Sequence, residues 1–151
     1  MIQQKSPLEA SSPDKERRPG SFAAQINRTV VVVEDDQIIV AMLKHMLSRH
    51  GFTVQVAHDG RQAMDFIERF ASPPVLVLLD VMLPYIDGFE LIREIRQRES
   101  WAQVPIIMLT AKSQEQNIVR ALDDGANDYV VKPFRPGELM ARIRRVTGFR
   151  E

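Results

Sequence analysis

The sequence predicts an α/β domain in which a parallel sheet of five strands is covered by helices on both faces. Apolar runs rich in β-branched residues alternate five times with segments that carry apolar residues at helical spacing, the order typical of such a sheet. Several of these runs are continuous rather than alternating, which indicates strands buried on both faces. The 151 residues, of which 44% are hydrophobic, suffice for one domain with a sizeable core.

The first half of the chain supplies two strand–helix pairs. The segment 29–33 is almost entirely valine and predicts a buried strand. The segment 37–50 places its apolar residues on one helical face, and Gly51 suits its end. A strand over 52–57 alternates apolar and polar residues, and a turn leads into a helix over 61–70. The residues predicted to face inward are Ile39, Met42, Leu43, Met46, Leu47, Ala63, Phe66, Ile67 and Phe70.

The second half supplies three more pairs, beginning with the strongest strand signal in the chain. The segment 75–80 is a continuous apolar run that ends in Asp80 and lies between prolines. The remaining elements are predicted as strands over 104–109 and 128–131 and as helices over 88–98, 114–124 and 136–146, with Leu91, Ile92, Ile95, Leu139, Ile143 and Val146 facing inward.

The connections between these elements restrict the order of the strands. Right-handed crossovers leave few arrangements, and no glycine-rich dinucleotide loop follows the first strand. These features favour the flavodoxin-like order 2-1-3-4-5, in which ligands bind at the carboxyl edge between strands one and three. Glu34, Asp35 and Asp80 follow or end those two strands, while Thr110 and Lys132 end strands four and five.

These five side chains define a candidate site. Three carboxylates at close range need a counter-charge, which Mg²⁺ supplies in many phosphate-handling sites. Lys132 can reach across the edge as a second cation, and Thr110 can donate to a phosphoryl oxygen. Each residue also has a simpler explanation: the acids as a charge cluster at a helix start, Lys132 as a surface lysine, and Thr110 as a helix cap.

In combination, the motifs resemble the receiver domain of two-component response regulators. The resemblance rests on Glu34-Asp35, on Leu79-Asp80-Val81-Met82-Leu83-Pro84 with Asp87-Gly88, on Thr110-Ala111 and on Lys132-Pro133-Phe134. It covers about residues 28–147, which we therefore expect to form the domain. Residues 1–27 are expected to be a flexible tail, and residues 148–151 the end of the domain or the start of a linker.

The resemblance implies that Asp80 accepts a phosphoryl group from a sensor histidine kinase or a phosphotransfer protein. Asp35, Asp80 and the Met82 carbonyl would hold Mg²⁺, with Glu34 acting through water. Thr110 and Lys132 would bind the phosphoryl oxygens.

The resemblance also implies a conformational switch. Tyr129 would change rotamer when Thr110 moves, and the surface of helix four, strand five and helix five would repack to control a downstream output. The Lys132-Pro133 peptide would be cis.

A closer likeness is to the receivers of winged-helix transcription regulators, which dimerise through that surface by charge pairs. Asp128, Glu138 and Arg142 match the pattern, but Ile118 stands where a basic partner of Glu138 is usual. The likeness therefore implies a weak, phosphorylation-dependent homodimer.

Two positions beside the site are expected to set the lifetime of an aspartyl phosphate. Met82, two residues after Asp80, cannot hydrogen-bond a hydrolytic water, and Lys112, two residues after Thr110, can crowd its line of attack. Fast-hydrolysing receivers resemble one another in carrying amide or acidic side chains there. We expect a phosphoryl state that persists long enough for a slow output.

The composition excludes several other kinds of protein. Lys+Arg and Asp+Glu number 20 each, and cysteine is absent, so no direct nucleic-acid binding, disulfide or thiolate site is expected. No apolar run reaches membrane length and no signal peptide is recognisable, which favours a cytoplasmic protein without membrane association.

Two alternative functions remain to be weighed. An aspartate-nucleophile phosphatase of the haloacid-dehalogenase type would need a second aspartate where Met82 stands. A degenerate receiver that serves only as a scaffold would not need the complete acid set. We therefore expect no enzyme, only a phosphoacceptor that catalyses its own phosphorylation and dephosphorylation.

Overall fold

The computed structural model describes residues 27–111 and 116–150, which form a parallel five-stranded sheet in the order β2-β1-β3-β4-β5. The predicted fold class and strand order are confirmed. The strands are β1 (Thr29–Val33), β2 (Thr53–Ala57), β3 (Leu76–Asp80), β4 (Ile106–Ala111) and β5 (Asp128–Lys132). The helices are α1 (Gln37–Arg49), α2 (Gly60–Arg69), α3 (Gly88–Gln97), α4 (Ile118–Asp124) and α5 (Pro136–Thr147), with a short 3-10 turn at Glu99–Trp101.

The sheet separates two apolar layers. Every residue of β3 is buried, and its side chains alternate between the layers. Val77 and Leu79 pack with residues of α2, α3 and α4, while Leu76 and Leu78 pack with residues of α1 and α5. Burial on both faces explains why this strand reads as a continuous apolar run that ends only at Asp80.

The element boundaries differ from the sequence predictions by a few residues. Strand β4 begins at Ile106 and continues through Thr110 to Ala111, because both pair with β5. On α1 the buried residues are Val40, Leu43, Met46 and Leu47. The face that packs on the sheet therefore includes Val40, which was not predicted, while Ile39 and Met42 are only partly buried. No helix in the described ranges is long and apolar enough to cross a membrane.

Gly88, the first residue of α3, lies against the strand end that carries Asp80. A Cβ added there would lie 2.6 Å from the Val81 Cα and 3.0 Å from the Asp80 carbonyl oxygen. Backbone atoms at that distance cannot rotate away, so α3 can begin this close to β3 only with glycine.

We expect Gly88→Ala to lower the free energy of unfolding by about 1–3 kcal/mol, the usual cost of forcing an extra carbon into a packed site. Urea denaturation followed by circular dichroism measures it. Gly137→Ala is the matched control, because nothing lies within 4 Å of a Cβ at Gly137. Equal stability of the two variants would show that α3 moves away without cost.

Candidate functional site

The carboxyl ends of β1 and β3 bring three carboxylates together. Glu34 follows β1, Asp80 ends β3, and one oxygen each from Glu34, Asp35 and Asp80 lies within 4.8 Å of the others. Glu34 is wholly buried and Asp80 is 7% exposed, whereas Asp35 is exposed. The predicted acidic cluster is therefore present, with two buried carboxylates and one exposed carboxylate.

Lys132, the last residue of β5, reaches across this edge to the two buried acids. Its Nζ donates to Glu34 Oε1 at 2.8 Å and to Asp80 Oδ2 at 3.1 Å. The interpretation of Lys132 as a free surface lysine is therefore wrong. The Lys132-Pro133 peptide that follows is cis, as the resemblance implied.

Burial and hydrogen bonding shift the pKa values of Glu34 and Lys132. Burial raises the pKa of Glu34 to about 7, against the lowering effect of its hydrogen bond from Lys132. For Lys132, burial acts to lower the pKa, but the hydrogen bond to Glu34 and the charge of Asp80 outweigh it, so that its pKa is raised. Lys132 is therefore held as a cation between the two acids.

Backbone amides orient the acids further. The Asp36 N–H donates to Glu34 Oε2 at 3.1 Å, so both oxygens of Glu34 are hydrogen-bonded. The Met82 N–H donates to Asp80 Oδ1 at 3.0 Å. Asp80 thus has one oxygen on the backbone of the following loop and the other on Lys132.

Asp36 has a second role that the sequence analysis missed. Its Oδ1 accepts from the N–H groups of Ile38 at 2.9 Å and Ile39 at 3.2 Å, and so caps the start of α1. An acid directly before an amphipathic helix is the usual signal for such a cap and could have identified it. Asp36 therefore stabilises the turn that presents Asp35.

Thr110 and Tyr129 lie on the neighbouring strands β4 and β5. Thr110 is 1% exposed, and its hydroxyl donates to the Ala111 carbonyl at 3.3 Å. Tyr129 is half-buried and packs against the apolar layer on the α2, α3 and α4 side. The prediction for Lys112 lies outside the described residues.

The charged residues proposed for a dimer face pair within the chain. Arg142 Nη1 donates to Asp128 at 3.0 Å, Arg142 Nη2 to Glu138 at 3.1 Å, and Arg145 to Asp128 at 3.0 Å. Burial opposes ionisation of Asp128, but these bonds and the Tyr129 N–H outweigh it and lower its pKa. In a single chain the cluster therefore connects β5 to α5.

The donor chemistry of the acidic cluster fits a hard divalent cation. Carboxylate oxygens are the ligands that Mg²⁺ prefers, and it usually needs only one or two of them beside water. Asp35 supplies an exposed carboxylate and Asp80 a buried one. Asp35 and Asp80 could therefore hold such an ion together with water.

Comparison with known proteins identifies the family of this chain. The family model for the response regulator receiver domain matches residues 30–144. The chain belongs to the response regulator receiver family. The match begins at the second residue of β1 and ends three residues before the end of α5.

This receiver domain has relatives among regulators and kinases. The alkaline phosphatase synthesis transcriptional regulatory protein PhoP of Bacillus subtilis is 41% identical over 121 residues, which are 80% of this chain and 49% of PhoP. The chain therefore spans about half the length of that relative.

Solved structures show the same fold. A response regulator of Chloroflexus aurantiacus superimposes with a TM-score of 0.76 at 34% identity, over 82% of this chain and 100% of that one. The receiver domain of a sensor histidine kinase from Pseudomonas aeruginosa, with magnesium coordinated in its active-site cleft, has a TM-score of 0.73 and 35% identity, again over 82% and 100%.

Proposed function

We propose that this receiver domain is a switch in which Asp80 accepts a phosphoryl group from the phosphohistidine of a sensor kinase or phosphotransfer protein. One observation carries the proposal: Asp80 lies at the carboxyl end of the central strand, 7% exposed, with Lys132 on one oxygen and two further acids beside it. A positioned carboxylate with cations nearby is a competent phosphoryl acceptor.

In the transfer, an Asp80 carboxylate oxygen forms a bond to phosphorus while the bond from phosphorus to the donor imidazole nitrogen breaks. Lys132 already lies 3.1 Å from Asp80 Oδ2 and neutralises charge on the transferred group. Asp35, Asp80 and the Met82 carbonyl, with Glu34 acting through water, would hold Mg²⁺, which would supply further neutralisation. The chain's own residues thus position the acceptor.

The phosphoryl group then changes the hydrogen bonding of Thr110. Before phosphorylation its hydroxyl donates to the carbonyl of Ala111, one residue away in the same strand. A phosphoryl oxygen is a stronger acceptor than that carbonyl. Thr110 would turn to that oxygen and Tyr129 would follow into the vacated space. The surface of α4, β5 and α5 would thereby shift between two populations and control the output.

A labelling experiment with acetyl phosphate and Mg²⁺ separates this function from its two rivals. The proposal predicts stoichiometric incorporation of one phosphoryl group that is labile to hydroxylamine. Continuous release of phosphate from simple esters would indicate the phosphatase, and no reaction would indicate the scaffold.

We further propose the arrangement in which the switch operates. The receiver would occupy residues 28–147, after a tail at 1–27 and before a short end or linker at 148–151, in the cytoplasm and without binding nucleic acid directly. Phosphorylation would favour a weak homodimer through α4, β5 and α5. Exposed ion pairs contribute at most about 1 kcal/mol each, and Asp128 and Arg142 already pair within the chain.

We expect Met82→Asn to shorten the life of the phosphorylated state, because an amide can orient the attacking water. Met82 is 60% exposed beside Asp80, so the side chain can be changed without disturbing the core. Decay after removal of the donor should quicken by roughly tenfold, the effect of about 1.4 kcal/mol on the barrier. The phosphorylated double variant Met82→Asn with Lys112→Glu should decay faster still.

Met82→Leu keeps the position apolar and is the matched control, with decay expected at the parent rate. If Met82→Asn decays no faster than Met82→Leu, water reaches the phosphoryl group by a route that this side chain does not govern.

A further inference from the structure

The loop between β3 and α3 contains a strained turn centred on Tyr85. The Ile86 N–H donates to the Pro84 carbonyl at 2.9 Å, and Tyr85 between them has a φ of 71°. A hydrogen bond from residue i+2 to residue i around a positive φ is the rare, strained form of γ-turn. Because a side chain disfavours this backbone conformation, contacts outside the turn must hold Tyr85 there.

The first turn of α2 provides those contacts. The guanidinium carbon of Arg61 lies 3.8 Å from the centre of the Tyr85 ring, a cation–π geometry. The preceding residue, Gly60, packs on the next residue of the loop, since a Cβ at Gly60 would lie 2.5 Å from the Ile86 Cβ. Two consecutive residues of α2 therefore contact two consecutive residues of the loop.

The same loop contacts the proposed phosphoacceptor through its backbone. The Met82 N–H donates to Asp80 Oδ1, and the Gly88 N–H closes the loop by donating to the Val81 carbonyl at 2.9 Å. A displacement of Tyr85 that spreads along this short loop therefore changes both the orientation of the Asp80 carboxylate and the position of the Met82 carbonyl.

We propose that Arg61 is a positioning residue for the phosphoacceptor site. Its contact with Tyr85 holds the loop after β3 in the strained conformation that orients Asp80 and presents the Met82 carbonyl. The consequence for phosphorylation rests on the proposed function, whereas the effect on the loop does not.

Amide hydrogen exchange without Mg²⁺ tests the effect on the loop. In Arg61→Gln and in Tyr85→Leu we expect the Met82 and Gly88 amides to exchange about two- to fivefold faster, the factor that an exposed cation–π contact supplies. Arg61→Lys keeps the cation and Tyr85→Phe keeps the ring, so both should exchange near the parent rate. Arg69→Gln, an exposed arginine at the other end of α2, is the matched control.

Mg²⁺ titration tests the effect on the site. The concentration for half-saturation, followed by amide shifts, should rise by the same two- to fivefold factor in Arg61→Gln. The labelling rate at sub-saturating Mg²⁺ should fall by the same factor. The double variant Arg61→Gln with Tyr85→Leu should need no more Mg²⁺ for half-saturation than either single variant, because both substitutions remove the same contact.

Parent-like exchange and Mg²⁺ binding in Arg61→Gln would overturn the proposal. So would effects that add in the double variant, or faster exchange with unchanged Mg²⁺ binding. A parent chain that never takes a phosphoryl group would overturn the proposed function instead, while the exchange and Mg²⁺ measurements would still decide the role of Arg61.

Discussion

Asp80→Asn is expected to abolish labelling by acetyl phosphate or a phosphorylated kinase while leaving the protein folded. The amide has no nucleophilic carboxylate oxygen, yet its Oδ1 can still accept from the Met82 N–H, which now lies 3.0 Å from Asp80 Oδ1. Removing one of the clustered acids also relieves repulsion. Intact-protein mass spectrometry after incubation with donor and Mg²⁺ measures the loss.

Asp59→Asn is the matched control for that substitution. Asp59 caps α2 by accepting from the Gln62 N–H at 2.9 Å, and asparagine is an equally good cap. Labelling should equal that of the parent. Retention of a hydroxylamine-sensitive label in Asp80→Asn would assign the phosphoryl group to another residue.

Lys132→Met is expected to destabilise the protein strongly in the absence of Mg²⁺. Glu34, whose side chain is fully buried, and Asp80, whose side chain is 9% exposed, would lose the cation that pairs with both. At a pH above 7, where Glu34 carries its charge in the parent, leaving buried charge without its partner costs on the order of 3 kcal/mol. Urea unfolding of the metal-free protein measures it.

Added Mg²⁺ should recover more stability in Lys132→Met than in the parent. An ion that binds only the folded state stabilises it by an amount that grows with the logarithm of its concentration relative to its dissociation constant, and the acids attract it more strongly once Lys132 is gone. Lys44→Met, at an exposed position of α1, should change neither quantity. If Mg²⁺ stabilises the parent and Lys132→Met equally, the ion does not occupy the acidic cluster.

The strands could be predicted from patterns within single segments, and their order from the connections between them. The valine run of β1 and the apolar run before Asp80 have only one plausible environment, the middle of a parallel sheet. Once the strand order was set, the carboxyl ends of the strands had to meet at one edge. The convergence of Glu34, Asp35 and Asp80 followed from topology alone.

Contacts between distant side chains could not be predicted in the same way. Arg96 donates to the carbonyl oxygens of Ala102, Val104 and Gly125 and to Asn127, although helical periodicity marks it only as polar. Arg61 contacts the Tyr85 ring because the connection from β2 to α2 and the loop from β3 to α3 lie at the same edge of the sheet. Such contacts depend on the positions of whole elements, which local spacing does not encode.

The pairing partners of the charged residues proposed for a dimer face could not be predicted from the sequence either. The sequence placed Asp128, Glu138 and Arg142 on one surface, and the structure places them together. Whether a charge pairs within its own chain or across an interface depends on side-chain reach, and here Arg142 reaches both acids of its own chain. The pairs that a dimer would use are therefore already formed in the monomer.

Mapping the phosphoryl group in the labelled parent tests the central claim most directly. Borohydride reduction converts an acyl phosphate into a stable alcohol, and peptide mass spectrometry then locates it. We expect one modified residue per chain, Asp80, and only when Mg²⁺ is present during labelling. Modification of Asp35 or Glu34, or labelling of Asp80 that does not require Mg²⁺, would contradict the account.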